Sequence, residues 1–258
     1  VTFLKPTANG LLDLQELSDC IRPDTVLVSI MLVNNETGVI QDLPRIAEIV
    51  KSRGVLLHTD AVQAIGKVPV DVRKIPVDLM SLSAHKVYGP KGIGALYVRN
   101  KIHLDDAFYG VRAGTLATHQ IVGMGKAYEL VYDAIDYDIR HAEQLSQQFL
   151  QNLSSINYTQ NGSNAPHIPH CLNLCFPHIR NEALMLSTPD LAYSSGSACN
   201  SATLKPSHVL LAMGLSPELA DCSVRISLGR FTTADDIHVA SKNLLQAVAR
   251  LTHIRGSL

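Results

Sequence analysis

Val26-Leu27-Val28-Ser29-Ile30-Met31-Leu32-Val33 is apolar almost throughout and rich in β-branched residues. Such a run reads as a strand covered on both faces, the habit of strands in parallel sheets. The loop Asn34-Asn35-Glu36-Thr37-Gly38 follows. Pro44 to Arg53 then carries Ile46, Ala47, Ile49 and Val50 at helical spacing, with Gly54 placed to end the helix. Val55-Leu56-Leu57-His58 is the next strand and ends at Thr59-Asp60. Val77 to Ser81 is another, and Gly94 to Val98 reads as its antiparallel partner beyond a Gly-rich turn. Strand, helix and strand in alternation predict an α/β fold, a mostly parallel sheet flanked by helices.

The rest of the chain changes texture. His119 to Leu150 is helical, and its polar amphipathic part, Asp133 to Gln148, is the kind of helix that links a large domain to a small one. Cys171 to Phe176 alternates as a half-buried strand, and Leu191-Ala192-Tyr193 reads as a short one. Pro206 to Met213 is helical, Val224 to Leu228 alternates again, and Thr233 is a natural N-cap for a last helix reaching Leu251. The expectation is a large α/β domain over 1–135 and a smaller α+β domain over 136–258.

Composition narrows the function. The chain has 258 residues, 46% of them hydrophobic, no Trp and a formal net charge of −1. Nothing in that balance suggests a nucleic-acid surface or an acidic tail. No apolar run approaches the ~20 residues that span a bilayer, and no signal peptide is visible. The five cysteines, Cys20, Cys171, Cys175, Cys199 and Cys222, are odd in number and scattered. They do not make a zinc site, so free thiols and a reducing compartment are expected.

Open α/β sheets bind ligands beyond the carboxyl ends of their strands. Asn35, Asp60 and Lys86 each follow a strand, and one crevice for all three is expected. Lys86 stands in Ser81-Leu82-Ser83-Ala84-His85-Lys86-Val87-Tyr88-Gly89-Pro90-Lys91-Gly92. A lysine there either reaches water past Tyr88 or bonds a carbonyl group. Asp60 is either a helix N-cap or the charge partner of something bound, and Gln63 lies one turn on. Pyridoxal phosphate uses such a set: a lysine for its aldehyde, a carboxylate for its ring nitrogen, donors for its phenolic oxygen and hydroxyl or imidazole groups for its phosphate. Cys199 reads either as a small apolar filler or as an accessible nucleophile in Ser194-Ser195-Gly196-Ser197-Ala198-Cys199, a stretch of small residues. The other four cysteines lie in strand-like or helical contexts and read as structural.

Three stretches, His58-Thr59-Asp60-Ala61-Val62-Gln63, Ser83 to Gly92 and Ser194 to Cys199, resemble the class V, fold-type I cysteine desulfurases of the IscS/NifS type. Val33 to Gly38 and Val224 to Thr232 extend the resemblance, which runs from Val1 to about Leu251. It implies pyridoxal 5'-phosphate as cofactor, 1–135 as the cofactor-binding domain and 136–258 as the domain with the cysteine loop. By matching position, Lys86 is the lysine that bonds the cofactor and Asp60 the partner of its ring nitrogen. Asn35 and Gln63 contact its phenolic oxygen, with Asn35 also near the substrate. Ser83 and His85 hold the phosphate, Arg225 clamps the substrate carboxylate, and Thr115 reaches the phosphate of a partner subunit, implying a homodimer. Cys199 takes the sulfur of L-cysteine as a persulfide, leaving L-alanine. The implied acceptors are iron–sulfur scaffold and tRNA-thiolation proteins, and Cys199 is a transient ligand of a nascent [2Fe–2S] cluster. No nucleic acid or membrane is expected as a direct partner. The implied home is bacterial cytoplasm, or the mitochondrial matrix in a eukaryote.

The chain also departs from that family. The family's segment before the position of Val1 has no counterpart here, and with it go a phosphate-binding turn and a histidine that stacks on the cofactor ring. None of the eleven histidines takes that place by motif. Lys101 to Gly110 stands for a longer Gly-rich loop, Arg112-Ala113-Gly114-Thr115 for an Arg-Ser-Gly-Thr, and the tail is short after Leu251. Two other readings stay open: a selenocysteine lyase of the same fold, and a truncated, non-catalytic paralogue that acts as an interaction protein.

Overall fold

A computed structural model describes residues 1–100, 102, 114–195 and 206–256. Contacts divide the chain into two compact units: Leu14–Val33 with Asp42–Asp136, and Val1–Asp13 with Asn34–Gln41 and Tyr137–Leu258. We call them the sheet unit and the C-terminal unit. Val1–Asp13 and Asn34–Gln41 therefore group with the residues after 136, not with those before 135.

The sheet unit opens with α1 (Leu14–Cys20) and carries β1 (Leu27–Met31), α2 (Leu43–Ser52), β2 (Leu56–Asp60), β3 (Leu79–Ser83) and β4 (Gly94–Val98). Its sheet has the order β1-β2-β3-β4, parallel from β1 to β3 and antiparallel from β3 to β4. The α/β expectation holds. Helix α2 starts where the side chain of Asp42 accepts from Arg45 N–H, and Pro44 in its first turn has no N–H to satisfy. It buries Ile46, Ala47 and Val50 and stops at Gly54, which takes a φ of 70°.

Two strand expectations need correction. Strand β1 is not covered on both faces: Leu27 and Ser29 on one face are exposed, Leu27 at 44%, while Ile30 on the other is buried. Strand β3 begins at Leu79 rather than Val77 and runs on to Ser83. Asp78 is withheld from it by its side chain, whose Oδ2 accepts from Leu57 N–H at 2.7 Å and pairs with Lys51 Nζ. A buried carboxylate needs such partners, and they fix where the strand can start.

Helix α3 (Thr118–Asn152) runs from one unit into the other. Its first half buries Ala127 and Val131 beside Val87, and its second half buries Leu145 and Phe149 in the core of the C-terminal unit. That unit contains β5 (Thr159–Gln160), β6 (Cys171–Cys175), α4 (Asn181–Ser187), α5 (His208–Ala212), α6 (Pro217–Asp221), β7 (Ser223–Ser227) and α7 (Ala234–Gly256). The three strands form an antiparallel sheet with β6 at its centre.

All five residues of β6 are buried, not half of them as alternation suggests. Leu172 and Leu174 enter the apolar cluster of Phe149, Leu153 and Val224. On the opposite face, Cys171 Sγ and Asn173 Nδ2 donate to the carbonyl of Glu36 at 3.3 and 3.1 Å. A polar face can thus be buried as completely as an apolar one. Leu191–Tyr193 is not a strand; the next residue, Ser194, makes an isolated bridge to Arg225, while Tyr193 shares its hydroxyl with Thr188. Helix α7 is capped reciprocally, Thr233 N–H donating to Asp236 Oδ2 and Asp236 N–H to Thr233 Oγ1. Among the described residues no helix is long and apolar enough to cross a membrane.

Candidate active site

Strand register decides which side chains share a face. Ser29 pairs with His58, Asp60 with Ser81, and Ser83 with Gly94. Side chains alternate with period two, so Ser29, His58, Asp60, Ser81 and Ser83 all project from one face of the sheet. His58 bonds its neighbours there: Nδ1 lies 2.7 Å from Ser29 Oγ and Nε2 2.9 Å from Ser81 Oγ. Burial lowers the His58 pKa, against an opposing pull from the charge of Asp60. None of the roles assigned from sequence falls on Ser29, His58 or Ser81. Counting by twos back from Asp60 and Ser83 would have found two of them.

Asp60 ends β2, and its Oδ1 accepts from Val62 N–H at 2.9 Å. The carboxyl group is therefore aimed by the turn that follows. Ser83 ends β3, with its Oγ 2.7 Å from His85 Nδ1. A 3-10 turn over Ala84–Val87 then carries Lys86, and Tyr88 closes it at a φ of 63°. That left-handed backbone is costly for a tyrosine and persists only where the surroundings enforce it. Gly89 is part of the enforcement, because a Cβ there would stand 2.9 Å from Ala84 and 3.0 Å from Ala127.

Lys86 is half-buried and makes no hydrogen bond or ion pair among the described residues. A half-buried ammonium with no partner is what a bonding site for a carbonyl group requires. The same sheet edge carries one aimed carboxyl group, on Asp60, and a hydroxyl–imidazole pair, Ser83 and His85, groups suited to a ring N–H and a phosphate. The residues fit pyridoxal phosphate. Gln63 does not complete the set here: its Oε1 accepts from Lys67 Nζ at 2.9 Å. Thr115 is exposed just before α3. Lys101, and the Arg112-Ala113 that precedes Gly114, lie outside the described residues.

In the C-terminal unit, Asn34 Oδ1 accepts from the N–H groups of Glu36 and Thr37, both at 2.9 Å, and holds the loop after β1 in an Asx turn. Gly38 closes it at a φ of 76°, where a Cβ would stand 3.1 Å from Ile168 and 3.2 Å from Cys171. Asn35 sits on this loop with its side-chain amide half-buried and unbonded among the described residues. Its carbonyl accepts from an Nη of Arg225 at 3.0 Å. Arg225 Nε is buried without a hydrogen-bond partner among the described residues. An orphaned guanidinium N–H is costly unless a ligand meets it, and a carboxylate suits its geometry. Asn35 and Arg225, distant in sequence, are thus brought together.

Cys199 lies outside the described residues. Cys171, Cys175 and Cys222 are buried free thiols and Cys20 is partly exposed, as expected for structural cysteines. Burial pushes the Cys175 thiol up, further from the reactive thiolate. Among the described residues no group of His, Cys, Asp and Glu could hold a metal ion.

Fold and site define an α/β protein with a lysine, unpartnered among the described residues, at a sheet edge that also carries an aimed carboxyl group. The aminotransferase class-V family model matches residues 1–239, and the chain belongs to that family. It is 50% identical to the cysteine desulfurase IscS of Methylococcus capsulatus, over 98% of this chain and 65% of that protein. Identity to the cysteine desulfurase IscS of Vibrio vulnificus is also 50%, over 97% of this chain and 64% of the relative. The chain therefore spans about 65% of the length of these relatives. Among solved structures, a NifS-like protein superposes with a TM-score of 0.86 at 31% identity, covering 98% of this chain and 68% of that one. The resemblance read from the motifs stands.

Proposed function

We propose that the protein is a pyridoxal-phosphate cysteine desulfurase, converting L-cysteine to L-alanine and passing the sulfur to Cys199. The observation that carries the reading is Lys86, unpartnered, on the turn that follows Ser83 and leaves the same sheet edge as Asp60. Relatives named cysteine desulfurase supply the substrate.

Each residue has a physical task. Lys86 Nζ would hold the aldehyde group of the cofactor and, once free, would accept the α-proton of the substrate. The Asp60 carboxyl group would keep a proton on the ring nitrogen. Ser83 Oγ and His85 would donate to the phosphate, Gln63 would donate to the phenolic oxygen by turning away from Lys67, and Asn35 is assigned to that oxygen by matching position alone. Bound pyridoxal phosphate supplies an electron sink for negative charge at the α-carbon. Arg225 offers its orphaned Nε–H to the cysteine carboxylate.

At Cys199 the thiolate attacks the sulfur of cysteine. The C–S bond breaks with its electron pair left on carbon, an S–S bond forms, and carbon takes up a proton to give alanine. Sulfur is oxidised as carbon is reduced, so no outside oxidant is needed. The persulfide then serves acceptor proteins of iron–sulfur assembly or tRNA thiolation, and Cys199 can touch a nascent [2Fe–2S] cluster during delivery. Thr115 supports a homodimer by reaching the partner's phosphate. Free thiols suit cytoplasm or the mitochondrial matrix.

The test uses the full protein with added pyridoxal phosphate. A visible absorption band should form, vanish in Lys86→Ala and persist in Cys199→Ser. L-cysteine should yield alanine and a persulfide on Cys199, and Cys199→Ser should yield neither. A band that survives Lys86→Ala sinks the lysine assignment; persulfide that survives Cys199→Ser sinks the cysteine assignment.

A further inference from the structure

The carboxyl group of Glu36 has no part in the chemistry above, yet it is buried, at 1% exposure. Its Oε2 accepts from Ser207 Oγ at 2.5 Å, the short and directional end of hydrogen bonding. Ser207 is also the N-cap of α5, accepting from Leu210 N–H at 3.2 Å. Glu36 itself is held firmly. Its N–H is taken by Asn34 Oδ1, and its carbonyl receives Cys171 and Asn173 of the central strand β6. The bond therefore ties Ser207 to the best-supported strand of the C-terminal unit.

Ser207 is the eighth residue after Cys199, and Ser194 the fifth before it. Ser194 is bound through two backbone hydrogen bonds to Arg225, at 2.6 and 3.1 Å, and Arg225 in turn bonds Asn35. The chain on either side of Cys199 thus returns to the same tripeptide, Asn34-Asn35-Glu36. Burying a carboxyl group is a poor route to stability, and such groups are better kept where they fix one arrangement.

We propose that Glu36 is a positioning residue, which acts through Ser207 to hold the start of α5 and so sets how fast Cys199, eight positions earlier in the sequence, takes up sulfur. This rests on the desulfurase reading. Cofactor attachment and substrate binding do not involve the Glu36 carboxyl group and stay as they are without it.

The test uses full-length protein loaded with pyridoxal phosphate. Ser207→Ala and Glu36→Leu break the bond from either side; Ser207→Thr and Glu36→Gln keep a donor and an acceptor. In single turnover at saturating L-cysteine, the first two should slow persulfide formation on Cys199 by roughly tenfold or more, since small misplacements of a reacting group act on that scale. The cysteine dependence of the spectral change should not move, and the conservative pair should stay within about twofold of wild type. Ser207→Ala should also raise amide exchange over 206–210, a readout independent of turnover. Wild-type rates in Ser207→Ala overturn the proposal, as does an equal loss of cysteine binding and persulfide rate, which marks a merely structural role. Should Glu36→Leu fail to fold, Ser207→Ala decides alone. A wild-type protein that forms no persulfide at all overturns the desulfurase reading and this inference with it, a different signature from a silent Ser207→Ala.

Discussion

His58 sits between two serine hydroxyls, bonded to Ser29 on one side and Ser81 on the other. Neutral imidazole does this with one donor and one acceptor, and burial favours the neutral form. Because the folded pKa lies below the ordinary 6.5, the unfolded chain binds more protons as pH falls. The stability that neutral His58 contributes is fully present above about pH 6.5 and is lost as pH falls through the lowered folded value. Urea midpoints from about pH 8 to about pH 5 should therefore drop more steeply for wild type than for His58→Gln, which keeps a donor and an acceptor but does not titrate. Parallel curves would show that another group controls the acid limb. Lys86 and Asp60 were readable from sequence because charged residues at strand ends call for an explanation, whereas Arg225 came from the family resemblance alone. His58 and Glu36 were not, because their meaning depends on partners across strands or, for Ser207, 171 positions away in sequence.

Element boundaries follow the same logic one level up. Alternation and apolar runs located β2, β7, α2 and α3, since burial of one face dominates those elements, while β4, none of whose residues is buried, was placed by the Gly-rich turn before it. They misjudged β3, where Asp78 looked like part of a strand. Its carboxyl group, 4% exposed, instead satisfies Leu57 N–H and pairs with Lys51, joining α2 to the start of β3. Removing it in Asp78→Ala leaves a buried N–H without a partner and an ammonium without its counter-charge. The expected cost is about 3–5 kcal/mol in denaturant unfolding. Asp78→Asn keeps the acceptor for Leu57 and should cost distinctly less. If the two variants unfold alike, the ion pair rather than the N–H bond carries the effect. Pattern also misjudged β6, because a buried polar face looks like a solvated one until its partner, the Glu36 carbonyl, is known.

Across the whole molecule, the α/β class and the change of texture near α3 were readable, since both follow from long periodic runs. That Asn34–Gln41 belongs with the C-terminal half was not, because the hydrogen bonds that hold it there reach β6 from far along the chain. Each unit buries apolar residues of its own. Leu57 is fully buried in the sheet unit, and Phe149, on the second half of α3, is fully buried with Leu172, Leu174 and Val224 in the other. Truncating either to alanine leaves a cavity that costs about 2–5 kcal/mol for leucine and 3–5 for phenylalanine. A protein with two compact units need not lose them together, and local opening can be read site by site through amide exchange. Phe149→Ala should raise exchange first in β6, β7 and α7, while β2 and β3 keep their protection; Leu57→Ala should do the reverse. The first half of α3 should follow the sheet unit and the second half the C-terminal unit, so the helix itself should show a step in protection near Asp136. Uniform loss across both sheets in either variant would show that the units open as one cooperative body, and α3 would then show no step.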